Sequence, residues 1–222
     1  MIKIENEDIS GFQAAIRGMR NPMNSWDKSD SLFMTINDIV GHPCDDGFQK
    51  EFVVGSNDYD LMKRLVSAGS DHSKFMRMIN VTCDITAPLY WWKEFDTYKV
   101  GTVRNSCSTM HKIHAKKLEL DDFSCDNLDS KSLRVLHNLI NYLNGIRMWY
   151  NEAESTYKKD AWWQMIQLLP SSYNQKATVQ LNYAVLRNMY HARKSHKLSE
   201  WHELCNWIMK LPYSELITME VK

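Results

Sequence analysis

The chain has 222 residues, of which 44% are hydrophobic and 24% charged, a composition typical of a folded domain with a sizeable core. Its 27 Lys and Arg residues balance 27 Asp and Glu residues, so no overall field attracts nucleic acid or an anionic membrane. The sequence has no apolar run of 18 residues and its polar, acidic start lacks a signal-peptide pattern. We therefore expect a cytoplasmic protein with no membrane or nucleic-acid partner.

The cysteines are odd in number, widely spaced and lack a Cys-x-x-Cys pattern; they are Cys44, Cys83, Cys107, Cys125 and Cys205. This pattern favours reduced thiols over a disulfide framework or a zinc ribbon. His111 and His114 have no thiolate or carboxylate in register, so no metal site is predicted.

In the N-terminal third, residues 2 to 5 alternate like a short edge strand, and residues 9 to 19 are predicted to form a helix. Residues 24 to 57 are rich in Asp, Ser, Asn and Gly, which predicts long loops around short strands such as residues 51 to 54. Helical spacing then predicts a helix over residues 58 to 68.

Gly69 follows this helix, at the position of a left-handed C-terminal cap. Residues 78 to 85 alternate cleanly and predict a strand, with the apolar face formed by Ile79, Val81, Cys83 and Ile85. Thr86 is predicted to cap the next helix, which has Pro88 near its first turn. Residues 99 to 111 lack apolar periodicity and are predicted to form a polar loop.

In the C-terminal half, a long helix is predicted over residues 131 to 153 and a short one over residues 161 to 168. Residues 177 to 181 read as extended, and helices follow at 183 to 193 and at 200 to 210, the last capped by Ser199. The paired tryptophans at 91–92 and 162–163 are predicted to fill core and interfaces rather than to stack on bases. Without repeats or a low-complexity linker, one α+β domain over residues 1 to 222 is favoured.

Asn182, Asn188 and Arg193 lie 12, 18 and 23 residues after Pro170. On one helix, Asn182 and Arg193 would be roughly 16 Å apart along the axis, about the length of a nucleotide. The alternative is that Asn182 caps a helix and Arg193 is a surface cation that complements the helix dipole.

The loop at 99 to 111 offers cations, hydroxyls and amides, and Gly101 permits close backbone approach; its donors include Lys99, Thr102, Arg104, Asn105, Ser106 and Ser108. Such groups suit a phosphate, although the same composition also fits an ordinary solvated loop. His72 is either a structural residue or part of a site. Cys107 is a candidate nucleophile without an identified base.

The segment from Leu169-Pro170 to Arg193 resembles the flavin-dependent thymidylate synthases. That family has Leu-Pro, then an Asn twelve residues on, a second Asn six further and an Arg five further. Asn182, Asn188 and Arg193 match this pattern without a gap. Gly69, His72 and Ala87-Pro88 also match the family if about two residues are inserted after the glycine, so the resemblance covers roughly residues 58 to 205.

The arginine-rich signature of the family is degenerate in this chain. In one register Asn105 and Ser108 match the signature, and Tyr98, Lys99 and Val100 replace its Arg-His-Arg triplet. A shift by one places Lys99 on the third triplet position and Thr102 on the first signature serine. Neither register retains the arginines, and lysine lacks the bidentate geometry of a guanidinium.

The resemblance implies a small, mostly antiparallel sheet packed against several helices, and a homotetramer. It also implies a divergent FAD-dependent enzyme that transfers a one-carbon unit from a folate to C5 of a pyrimidine nucleotide, as in the conversion of dUMP to dTMP, without a protein cysteine nucleophile. The alternatives are a protein that sequesters or senses a nucleotide without redox chemistry, and a structural or assembly protein.

The resemblance also assigns roles to individual residues. Arg193 is the expected catalytic residue and a contact of the nucleotide substrate. The other expected substrate-binding residues are His72, Lys99, Thr102, Asn105 and Ser108. The expected FAD-binding residues are Tyr98, Lys99, Asn182 and Asn188.

Overall fold

A computed structural model of the protein describes residues 2–41 and 50–220. Cys44 and the part of the predicted long loop between residues 42 and 49 lie outside the described residues. The strands are β1 Lys3–Ser10, β2 Leu32–Thr35, β3 Lys50–Val53, β4 Asn80–Pro88, β5 Val103–Ser106 and β6 Asn174–Asn182. The helices are α1 Phe12–Arg20, α2 Ile36–Val40, α3 Ser56–Ser67, α4 Leu89–Phe95, α5 Thr109–Lys112, α6 Ser130–Glu152, α7 Ser155–Leu168, α8 Tyr183–Arg193, α9 Ser199–Ile208 and α10 Glu215–Thr218.

A four-stranded antiparallel sheet in the order β1-β4-β6-β5 organises the fold. Its central pair, β4 and β6, runs in register from Asn80 opposite Asn182 to Pro88 opposite Asn174. The separate two-stranded sheet pairs β2 with β3. The architecture confirms the predicted α+β class with small antiparallel sheets and surrounding helices.

The main apolar cluster lies on one face of the four-stranded sheet. The predicted inward residues Ile79, Val81, Cys83 and Ile85 are all buried there. Trp91 and Trp92 of α4 are also buried in this cluster, as predicted, and residues of α1, α3, α8, α9 and α10 contribute to it. The sheet therefore provides a fixed base for the start of α8, which follows β6 directly.

A second apolar cluster lies between α6 and α7. It is formed by Ile113, Leu118, Phe123, Leu136, Ile140, Leu143, Ile146, Ala161 and Met165. Of the Trp162-Trp163 pair, predicted to fill core and interfaces, Trp163 lies outside the core with an exposed fraction of 44%. The buried stripe of α7 passes through Ala161 and Met165 instead. None of the helices within residues 2–41 and 50–220 has the length and hydropathy needed to span a membrane.

Several predicted element ends are wrong because strand pairing extends past them. Thr86 caps no helix, since β4 continues to Pro88 and pairs with β6 there. Similarly, α1 begins at Phe12, because Ile9 and Ser10 pair with β4. The predicted cap at Ser199 is wrong for a different reason: the helix α9 begins one residue earlier, so Ser199 lies in its first turn and Leu198 occupies the N-cap position.

The predicted polar loop at 99 to 111 contains regular structure. Residues Val103–Ser106 form the edge strand β5, which pairs with β6, and α5 follows. An edge strand that faces solvent needs no apolar residues on its outer face, so apolar periodicity does not reveal it. Gly69 follows α3 with a φ of 103°, which confirms the predicted left-handed cap.

Candidate functional site

Asn182 stands at the junction where β6 passes into α8. Its Oδ1 accepts a hydrogen bond from the backbone N–H of Val185 at 3.1 Å, so the residue caps the helix. Gly101 has a φ of 77°, and a Cβ added there would lie 3.0 Å from Nδ2 of Asn182. A glycine is therefore needed where this turn packs against the amide of Asn182.

Two adjacent cavities follow the same side of α8 and share Arg77, Ala184 and Asn188 as lining residues. We call them together the α8 groove. The smaller cavity, of about 310 Å³, is also lined by Val100, Gly101, Asn182 and Val185. The larger cavity, of about 580 Å³, is also lined by Val66, Gly69, Ser70, Ser73, Met76, Arg187, His191 and Glu220. The groove brings together two predicted cofactor-binding residues, Asn182 and Asn188.

Arg187, His191 and Glu220, on one wall of the groove, have partners within the protein. Nη1 of Arg187 donates to the carbonyl oxygens of Leu216 and Ile217 at 3.1 and 3.0 Å. Burial, reinforced by the charge of Arg187, lowers the pKa of His191, so its imidazole is neutral near pH 7. Glu220 forms an ion pair with Lys194 at 2.5 Å.

Arg77 has an exposed side chain and, within the described part of the chain, no carboxylate or hydrogen-bond partner. It lines both cavities, so it is the groove cation that is free to bind an anionic group. No spacing pattern in the sequence indicates Arg77, because this residue lies between two predicted elements.

Arg193 lies in the last turn of α8, but it is not a free surface cation. Its Nε donates to the hydroxyl of Tyr98 at 2.9 Å, and its Nη1 donates to Oε2 of Glu94 at 2.8 Å. The same Glu94 oxygen accepts a hydrogen bond from Nε1 of Trp201 at 2.9 Å and lies 3.4 Å from Nε2 of His196. The side chain of Arg193 is only 18% exposed. The structure therefore gives Arg193 a carboxylate partner that the sequence did not predict.

Tyr98, Lys99 and Thr102 line a small cavity of about 160 Å³ together with Arg104. The guanidinium of Arg104 donates two hydrogen bonds to Asp96, at 2.9 and 2.7 Å, and one to Oε1 of Gln175 at 2.5 Å. It also lies over the ring of Trp92. Arg104 is thus held by protein groups and does not replace the missing signature arginines.

The remaining predicted residues lie in other places. Asn105 is exposed in β5, opposite Thr178. Ser108 caps α5 by accepting the N–H of His111 at 3.0 Å, and with Cys107 it lines another cavity of about 450 Å³. His72 is exposed on the turn after α3 and lines none of these cavities.

No group of three His, Cys, Asp or Glu side chains that could hold a metal ion occurs among residues 2–41 and 50–220. Free thiols are found at Cys83, Cys107, Cys125 and Cys205. Burial raises the pKa of Cys83 to about 12 and that of Cys205 to about 11, so neither forms a thiolate near neutral pH.

No protein-family model matches the chain, and no curated protein matches it. Solved structures share its fold at low sequence identity. Two are structures of flavin-dependent thymidylate synthase (ThyX) from Helicobacter pylori with FAD and dUMP. The first is 16% identical to the chain with a TM-score of 0.66, and the match covers 99% of this chain and 98% of that chain. The second is 18% identical with a TM-score of 0.65, and the match covers 99% of this chain and 100% of that chain.

A third solved structure is a UMP/dUMP methylase, PolB from Streptomyces cacaoi, bound with 5-Br dUMP. It is 13% identical to the chain, with a TM-score of 0.58, and the match covers 98% of this chain and 94% of that chain. The chain is therefore similar in fold, over nearly its whole length, to a thymidylate synthase and to a nucleotide methylase.

Proposed function

We propose that the protein binds FAD and a pyrimidine nucleotide and acts as a divergent flavin-dependent thymidylate synthase-like enzyme. The observation that carries this proposal is the α8 groove. It gathers Asn182, Asn188 and Arg77 on a fold that is shared with structures solved with FAD and dUMP.

The chemistry of the groove fits a flavin dinucleotide. Each cavity has a volume in the range of about 300 to 1,000 Å³ that is usual for cofactor pockets. The amides of Asn182 and Asn188 supply hydrogen-bond donors and acceptors for the polar edge of a ring system, and the unpaired Arg77 supplies a cation for phosphate. Val66 and Met76 give the larger cavity an apolar wall that suits the face of a ring system.

FAD, when bound and reduced, would supply the electrons that convert a transferred one-carbon unit to a methyl group. The protein groups would hold and orient the reactants. In this proposal Arg193 contacts the nucleotide, and Tyr98, Lys99 and Thr102 flank it from the neighbouring small cavity. His72, Asn105 and Ser108 stay predicted substrate contacts, and the folate donor and the homotetramer stay proposals.

Titration of the purified protein with FAD, followed by flavin absorbance and fluorescence, tests the groove. Asn188→Ala removes one amide, and Arg77→Gln removes the unpaired charge. We expect FAD affinity to fall by about 3- to 10-fold for the first variant and about 10- to 100-fold for the second, from the usual contributions of neutral and charged hydrogen bonds.

The matched controls are Asn141→Ala and Arg134→Gln, which make the same changes at exposed positions of α6. Both controls should bind FAD like the unmodified protein. Absence of FAD binding by the unmodified protein would contradict the proposal. Formation of dTMP from dUMP with methylenetetrahydrofolate and reduced FAD would establish the enzyme activity directly.

A second candidate function is nucleotide binding without redox chemistry, as in a sequestering or sensing protein. It is favoured by the retained Arg193 beside the lost arginine triplet, because Tyr98, Lys99 and Val100 do not supply the bidentate guanidinium groups that would hold a flavin pyrophosphate. Thermal unfolding with dUMP, UMP or FAD separates the candidates. A ligand at 100 times its Kd stabilises the folded state by about 2.7 kcal/mol, so stabilisation by a nucleotide alone would favour this second function.

A further inference from the structure

Glu94 and Arg193 approach each other from the last turns of α4 and α8. The ion pair is 2.8 Å long, with side-chain exposed fractions of 18% for Arg193 and 34% for Glu94. Trp201 donates to the same carboxylate oxygen, and the Arg193 guanidinium lies 4.6 Å from the centre of its ring. The pair is thus held in place by a third side chain and is more than a chance surface contact.

The contacts of Arg193 leave part of its guanidinium free. Nε is used by Tyr98 and Nη1 by Glu94, while Nη2 has no acceptor among the described residues. Likewise, Oε1 of Glu94 accepts no hydrogen bond from the part of the chain that the structure describes. The pair therefore offers a free donor on Arg193 and a free acceptor on Glu94, and its formal charges cancel.

A ligand group that meets this pair must be compatible with both charges. A phosphate drawn to Arg193 would lie beside the Glu94 carboxylate and be repelled by it. An uncharged edge with an acceptor next to an N–H donor, such as the amide edge of a pyrimidine base, complements both groups. The charge of Glu94 thus changes what Arg193 is able to recognise.

We propose that Glu94 is a specificity-determining residue of the nucleotide site. It neutralises Arg193, so this end of the site accepts the uncharged hydrogen-bonding edge of a base and discriminates against phosphate. The inference rests on the proposed nucleotide binding for its ligand, whereas the suppression of anion binding at Arg193 by Glu94 is a property of this chain alone.

Calorimetric titration with inorganic phosphate, 2′-deoxyuridine and dUMP tests the inference on the full chain. Glu94→Gln keeps the side-chain shape and an acceptor for Trp201 but removes the charge. We expect it to raise the affinity for inorganic phosphate by about tenfold or more, as for a newly available charge-assisted hydrogen bond. The gain should disappear in the double variant with Arg193→Gln. Glu51→Gln, on β3 of the separate sheet, is the matched charge control and should give no gain.

The single variant Arg193→Gln tests which part of the ligand meets the pair. It should weaken binding of deoxyuridine and of dUMP by the same factor, because the contact is to the base. Weaker dUMP binding with unchanged deoxyuridine binding would overturn the proposal, and so would Glu94→Gln with unchanged phosphate affinity.

If the unmodified protein binds neither nucleoside nor nucleotide, the proposed function fails while the phosphate titration still decides the role of Glu94. Circular dichroism establishes that each variant is folded. Glu94→Ala provides a second charge-removing variant if the glutamine variant does not fold.

Discussion

The carboxylate of Asp58 joins α1, α3 and the segment that follows α1. Asp58 is fully buried, and its Oδ1 accepts a hydrogen bond from Nε of the buried Arg20 at 2.6 Å. Its Oδ2 accepts the hydroxyls of Ser29 and Ser31 at 2.7 and 2.6 Å. Burial alone would raise the pKa of Asp58, but the hydrogen bonds from Ser31, Ser29 and Arg20 outweigh it and lower that pKa.

Replacement of Asp58 by Asn should therefore be strongly destabilising. It leaves the Arg20 guanidinium buried without its counter-charge, for which losses of about 3 to 5 kcal/mol in the free energy of unfolding are usual. Urea denaturation measures the loss. Asp60→Asn is the matched control, because this carboxylate is 69% exposed and pairs with Lys63; it should change stability by less than about 0.5 kcal/mol. Equal effects of the two changes would contradict the structural role of Asp58.

The sequence identified some of the candidate site residues and missed others for a physical reason. Asn182 and Asn188 belong to one continuous segment, at the N-cap of α8 and within that helix, so the fixed spacing of the family pattern identifies both of them. Arg77 and Glu94 belong to other elements, and only the tertiary fold brings them to α8 and to Arg193. A pattern in a single segment does not reveal such contacts between segments.

At the scale of the element, Asn182 combines a cap and a candidate ligand contact in one side chain. Oδ1 caps α8, while Nδ2 lies beside Gly101 at the smaller cavity of the groove. The two interpretations of this residue, helix cap and ligand contact, are therefore compatible, and they depend on different atoms.

Asn182→Asp separates these two roles, since a carboxylate still caps the helix but has no N–H donor. We expect the free energy of unfolding to stay within about 0.5 kcal/mol of the original, while FAD affinity falls. Asn182→Ala should lose about 1 kcal/mol of stability as well, because the cap is removed. Denaturation and FAD titration of both variants measure the two effects. An unchanged FAD affinity in the aspartate variant would remove Asn182 from the proposed site.

The elements with strong apolar periodicity were predicted well, and the solvent-facing ones were not. The alternation at 78 to 85 predicts β4, and the apolar stripe of α6 predicts that helix, because one side of each element is buried. The strand β5 depends on its backbone pairing with β6, since Val103 and Asn105 are both exposed. Its polar sequence therefore predicts a loop, and only the pairing with β6 shows a strand.

At the scale of the whole molecule, the titrating groups predict loss of stability in acid. Burial lowers the pKa of His114 and of His191 below the ordinary value of 6.5, with help from Lys112 and Lys158 in the first case and from Arg187 in the second. Below about pH 6.5 the unfolded chain binds protons that the folded chain does not bind. The free energy of unfolding should therefore fall as the pH decreases from 7 to 5.

The aspartates predict a second decrease in the free energy of unfolding, at lower pH. Hydrogen bonds from Thr178, Asn6 and Lys176 lower the pKa of Asp84 to about 2. The pKa values of Asp30 and Asp58 are also lowered. Their stabilisation is present above the ordinary value of 3.8 and is lost as the pH falls through the lower folded values. Urea denaturation at a series of pH values measures both decreases in the free energy of unfolding.

Replacing His114 and His191 together by Gln should make the decrease in the free energy of unfolding between pH 7 and 5 smaller. The control His137→Gln, at an exposed position, should leave that decrease unchanged. Stability that stays constant from pH 7 to 5 in the original protein would contradict this assignment.

The two apolar clusters, as described, share no residue. The main cluster supports β4, β6 and α8, on which the groove is built, while the second joins α6 to α7. A change that loosens the helical pair should therefore increase amide hydrogen exchange in α6 and α7 before it affects the sheet. Core substitutions between α6 and α7 should therefore be tolerated better than substitutions beneath α8. The surface formed by α6 and α7 is able to change while the geometry of the groove is preserved.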